Sequence, residues 1–283
     1  MKAVRLNNNW LGVFLLLSLL ATRCFADDLA EKGRAVFKQY RHTVVTISIV
    51  LKSKISVGGM GGQSNESRQE VTGTVLDPSG LIVLSLSATD PGQMMQTFLG
   101  GMDGMDGEDT KLKMETELSD LKVLLDDGTE VPAEVVLRDK DLDLAYIKPK
   151  NKLTTPMEAL DFSKAGKVEL LDQIISLNRL GDTAGRAYAA SLDRISAVVE
   201  RPRLFYVPAG GMASATLGAP AFSLDGKPLG IFVMRTIKSH GGGGMGMFSF
   251  QPDNLTTVIV PAQDILKGAK QVPAAEEEKK KEK

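Results

Sequence analysis

The sequence predicts an all-β protein, and three observations carry that prediction. Its apolar residues gather in short runs rich in β-branched side chains, residues 44–51 (VVTISIVL) being the clearest, each bounded by polar or turn-forming residues. The runs are separated by tight-turn sequences, Asp77-Pro78-Ser79-Gly80 and Asp126-Asp127-Gly128, in which proline presets φ and glycine supplies a positive φ. Finally, 283 residues at 43% hydrophobic content can bury a full core, as one large all-β domain or two small ones.

Residues 1–26 have the three parts of a secretory signal: Lys2 and Arg5, an apolar run from Trp10 to Leu20, and Ala26 at a cut before Asp27. That run falls short of the roughly 20 apolar residues a membrane span needs, so the reading is export with cleavage to a periplasmic or secreted location, without a stable span afterwards. An uncleaved N-terminal anchor is the competing reading. The single cysteine, Cys24, lies inside this segment, which leaves the mature chain without a disulfide or a thiol nucleophile. Arg23 before it, instead of a small residue, argues against a lipid-anchor site. Losing Lys2, Arg5 and Arg23 and no acid moves the net charge from -1 to -4, a poor balance for nucleic acid, whose binding rests on phosphate neutralisation. The sequons at Asn65 and Asn254 are read as chance occurrences.

Along the mature chain, Leu29, Ala35, Val36 and Tyr40 recur near helical spacing and predict a short amphipathic helix over 28–40, within an N-terminal segment 27–43. Strands are expected at 44–51, 71–76 and 81–86, with the glycine-rich, polar stretch 58–69 as a loop. Residues 91–114 read as an insertion. Its methionines suit soft copper and its aspartates suit calcium, preferences that conflict, so no metal is expected there; an adaptable partner surface is the middle reading. A hairpin is expected over 121–137, then a polar crossover at 151–168. Further strands are expected at 170–177, as a pair within 185–199, at 204–207, at 231–237, and from 258 into a closing helix. The last ten residues, AAEEEKKKEK, have no apolar face and should be solvated.

Three stretches carry a family resemblance. Residues 138–148, RDKDLDLAYIK, resemble the segment around the catalytic aspartate of the HtrA/Deg family of trypsin-like serine proteases, matching at Asp139 and Asp143. Residues 77–87 resemble the lead-in to the family's Thr-Asn-Asn-His, with Ser87 at the histidine position. Residues 217–231, LGAPAFSLDGKPLGI, resemble the segment that begins at the nucleophile, with Leu217 at the serine position and Ala215 at the oxyanion-hole glycine. The resemblance covers about residues 44–266 and implies two antiparallel β-barrels of the chymotrypsin type, a first over 44–158 and a second over 159–270, followed by a charged tail over 271–283. The family's usual PDZ module has no counterpart after Leu266.

The implied triad positions are therefore Ser87, Asp143 and Leu217. A serine hydroxyl attacks only when an imidazole takes its proton, and an aspartate holds that imidazole. Serine has no basic form near neutral pH, leucine has no nucleophilic atom, and alanine resists the conformations that glycine allows at an oxyanion hole. A displaced pair drawn from Ser214 or Thr216 with Lys238 or His240 has no support in spacing, and His42 occupies no motif position. The expectation is a protease homologue without proteolytic activity, cofactor or metal. It would bind an extended peptide or protein along the edge Ile231, Phe232, Val233, Met234 and Arg235, since trypsin-like enzymes hold substrate as an added strand. The alternative is an active secreted serine endopeptidase with atypical catalytic residues. Homo-oligomerisation is implied by the resemblance alone.

Overall fold

The structure, a computed structural model, describes residues 28–57, 60–89, 112–211, 216–236 and 255–273. The signal segment, most of the 91–114 insertion, Ser214, Ala215, Lys238, His240 and most of the charged tail lie outside the described residues.

Among the described residues, twelve strands close two antiparallel barrels of six strands each. The first comprises β1 (Val44–Val57), β2 (Met60–Val75), β3 (Ile82–Ser85), β4 (Leu112–Leu124), β5 (Glu130–Asp139) and β6 (Leu144–Pro149), in the order β1-β2-β3-β6-β5-β4. The second comprises β7 (Gln173–Arg179), β8 (Tyr188–Val199), β9 (Phe205–Pro208), β10 (Pro220–Ser223), β11 (Pro228–Thr236) and β12 (Leu255–Pro261). Its order, β10-β11-β12-β9-β8-β7, is the same path around the barrel read from its other end. Closure leaves neither sheet with a full-length open edge, the common liability of β proteins.

The apolar runs are continuous because their strands are buried on both faces. Strand side chains alternate: Ile82 and Leu84 fill the first barrel, while Leu81 and Val83 join a shared core between the barrels. Ala145 and Ile147 point into the first barrel, Leu144 and Tyr146 into the shared core. In the second barrel Phe232 and Ile259 point inward, and Ile231, Val233, Val258 and Val260 face the first. The largest apolar cluster thus lies between the barrels and fixes the walls of the cleft.

Two helices tie the barrels together crosswise. Helix α1 (residues 28–40) precedes the first barrel yet packs on the second, stacking Tyr40 on Phe222 at 4.9 Å between ring centroids and laying Val36 over Gly226. A single turn, α2 (Leu86–Thr89), follows β3. Helix α3 (Ala262–Ala269) follows the second barrel and packs beside its β11 and β12, and it also reaches the first, where Tyr146 Oη donates to the Ile265 carbonyl at 2.8 Å.

Two local expectations are corrected. The stretch 58–69 belongs mostly to β2, which starts at Met60 and pairs with β1 continuously from Ile55↔Gln63 to Val44↔Thr74. Backbone pairing against a long neighbour outweighs the weak strand propensity of its glycines and polar residues. Residues 185–199 supply one strand, β8, whose next partner β9 follows after a turn.

Candidate functional site

Asp143 sits at the junction of the barrels, 9% exposed, immediately before β6. The turn that delivers it is built by Asp139, whose Oδ1 accepts the N–H groups of Asp141 and Leu142, both at 3.0 Å. Asp143 itself has φ 56°, a left-handed conformation that aspartate tolerates better than most residues. Its carbonyl accepts the Leu86 N–H at 2.9 Å, which locks the α2 turn to it.

Both carboxylate oxygens are occupied. Oδ1 accepts the Ser87 N–H and the Ser87 hydroxyl, each at 2.7 Å. Oδ2 accepts the Ser85 hydroxyl at 2.5 Å and the Met234 N–H of the second barrel at 3.0 Å. Four donors match the roughly four lone-pair sites of a carboxylate. Burial pushes the Asp143 carboxyl above its ordinary range, while the donors from Ser85, Ser87 and Met234 pull it back.

The arrangement brings Ser87 and Asp143 into direct contact. Thr216 and Leu217 lie on the wall of an inter-barrel cavity of about 380 Å³ that Ala88, next to Ser87, also lines. Leu217 is half-buried and carries no reactive atom. Gly218 follows it at φ 85°, and a Cβ there would lie 2.1 Å from the Thr72 carbonyl oxygen, so only glycine lets this loop approach β2. The Thr74 hydroxyl donates to the Gly218 carbonyl at 2.8 Å and completes the anchorage.

The edge 231–235 is narrower than the sequence implies. Phe232 gives its N–H to the Ala219 carbonyl at 3.0 Å and takes the Gly218 N–H on its own carbonyl at 2.7 Å. Backbone groups alternate along a strand, so Ile231, Val233 and Arg235 face β12, their partner through Val260, Val258 and Thr256. On the side away from β12, the Met234 N–H is already held by Asp143. What this stretch can offer an added strand is the Met234 carbonyl.

His42 lies in a separate cluster that the sequence reading did not assemble. Its Nδ1 is 2.8 Å from Asp126 Oδ2 and 3.3 Å from the Tyr188 hydroxyl, and its Nε2 receives Arg41 Nε at 3.0 Å. Arg179 and the Tyr188 hydroxyl also donate to Asp126. Beside it, Arg186 grips Glu70 with Nη2 to Oε1 at 2.6 Å and Nε to Oε2 at 3.1 Å. These contacts brace one barrel against the other, and none of the His42 partners is a serine or threonine. Ser85 and the Met234 N–H were also missed. Ser85 had a readable signal, its i, i+2 spacing from Ser87; Met234 had none, because a backbone donor leaves no mark on residue type. Among the described residues, no group of three or more His, Cys, Asp and Glu side chains could hold a metal, and no helix is long and apolar enough to cross a membrane.

Two closed six-stranded antiparallel barrels with the same strand path are the fold of the trypsin-like proteases. Among solved structures the chain is similar to the apo crystal structure of the MamO protease domain from Magnetospirillum magneticum, at 14% identity and a TM-score of 0.47, over 80% of this chain and 95% of that one. No family model matches the chain, and no curated protein matches it.

Proposed function

We propose that this chain is an exported, non-proteolytic homologue of the trypsin-like proteases that takes an extended peptide or protein segment into the cleft between its barrels. The observation that carries the reading is the saturation of Asp143. Its oxygens are filled by Ser85, Ser87 and Met234, and Ser87, the residue that the resemblance aligns with the family's histidine, donates its hydroxyl to Oδ1. A hydroxyl donating to a carboxylate cannot take a proton from a nucleophile, and Leu217 offers none to take. Asp143 then serves as a structural cross-link.

The test is incubation of the full chain with a fluorophosphonate probe, followed by intact-mass measurement. The expected result is no covalent adduct under conditions that label trypsin completely. Labelling of any serine would overturn the reading and establish an active endopeptidase with displaced catalytic groups. Export is tested separately by N-terminal sequencing of the exported protein, which should begin at Asp27.

A further inference from the structure

We infer that the cavity beside Leu217 reads an uncharged side chain of the carboxamide class, asparagine or glutamine, on the bound segment. This rests on the proposed peptide-binding reading and gives it a specificity. With the Met234 carbonyl as the one main-chain acceptor that the 231–235 stretch can offer, recognition has to come from side-chain contacts in the cleft.

Two charged residues line this cavity, and both are already paired. Glu70 is held by the Arg186 guanidinium through both of its oxygens. Arg179 donates to Asp126 at 3.1 Å and to the Arg186 carbonyl at 3.2 Å, and its guanidinium lies 4.6 Å over the Tyr188 ring. A charged side chain entering here would give up its hydration without finding a free counter-charge, which disfavours Asp, Glu, Lys and Arg.

The neutral polar groups of the wall ask for the opposite kind of ligand. Strand alternation turns Val45 and Ile47 into the first barrel and Thr46 toward the cavity. Thr46 is 4% exposed, and its hydroxyl has no hydrogen-bond partner among the described residues. Across the cleft, Asn178 Nδ2 donates one of its two N–H groups to Thr216 Oγ1 at 2.7 Å, and its Oδ1 is an acceptor that is also buried and unpartnered among the described residues. One site needs a donor and the other can donate or accept. A carboxamide supplies an N–H2 and a carbonyl in one planar group, and Val71, Ala88, Leu180 and Leu217 give its methylene stem apolar contact.

The experiment is fluorescence polarisation of the full chain with fluorescein-labelled octapeptides that vary one central position through all twenty residues. Members with Gln or Asn should bind about tenfold more tightly than those with Glu or Lys, the scale of one or two buried hydrogen bonds. The variant Thr46→Val, which removes an unpaired hydroxyl and should melt no lower than the parent, should cut that preference to about threefold or less. Thr46→Ser should restore it. Peptides that bind without a carboxamide preference, or with a preference that Thr46→Val leaves intact, would overturn this inference and leave the peptide-binding reading standing. Failure of every octapeptide to bind would overturn both.

Discussion

Asp143 and Asp126 are two carboxylates whose surroundings drive stability in opposite directions with pH. Asp143 is pushed above its ordinary value of 3.8 by burial, so as pH falls toward that value the folded state takes up a proton before the unfolded state does. Its contribution to stability therefore grows on acidification. Burial also works to raise Asp126, but the hydrogen bonds from Tyr188 and His42 and the charge of Arg179 outweigh it and hold the carboxyl below 3.8. Its contribution is present above 3.8 and is lost as pH falls through the folded-state value. Urea melts taken across the acid range should accordingly show a shallower acid-side loss in Asp126→Asn and a steeper one in Asp143→Asn. At neutral pH, Asp143→Asn should cost about 1–3 kcal/mol, because an amide N–H2 would face the Met234 N–H or the Ser87 N–H, donor against donor.

At the scale of elements, the turns and the strands that follow them were legible because their signals are local. Asp126-Asp127-Gly128 closes the β4–β5 hairpin, with the Gly128 N–H donating to the Leu125 carbonyl at 3.1 Å and φ 84° at the glycine. Helix α1 was legible from its spacing, and it also contains Gly33, where an added Cβ would meet nothing within 4 Å. Gly33→Ala should therefore raise stability by about 0.5–1 kcal/mol in thermal or chemical melts. Gly218→Ala should do the reverse, lowering it by roughly 3 kcal/mol or more, since the loop would have to retreat from the Thr72 carbonyl. The first half of β2 was illegible for a different reason. Gln63, Ser64, Asn65, Glu66 and Ser67 carry no strand signal of their own and become a strand by pairing with 51–55 of β1, a partnership written in β1 as much as in β2. The meeting of Ser87 with Asp143 could be read from two separate motifs, whereas the Glu70–Arg186 clasp could not, because neither residue lies in a motif and the two are 116 positions apart.

Across the whole molecule, the two barrels are joined by the shared apolar core, by Asp143 reaching Met234, by the Glu70–Arg186 pair, and by two helices that each touch the far barrel, through Tyr40 on Phe222 and Ile265 on Tyr146. The connecting segment takes part on both sides. Met157 and Leu160 donate backbone N–H groups to Pro78 and Val75 of the first unit, and Gly166 donates to Pro228 of the second. Between these anchors and β6, residues 150–152 and 154–156 are exposed. The crossed helices give this geometry a consequence: severing the covalent thread should not release the pieces. A single protease nick within 150–156 should leave two fragments that co-elute at the size of the intact chain and melt in one transition. The first fragment carries away the helix that stacks Tyr40 on Phe222, and the second carries the helix whose Ile265 carbonyl accepts from Tyr146, so elution as two separate species would mean that these helices contribute nothing to holding the halves in register.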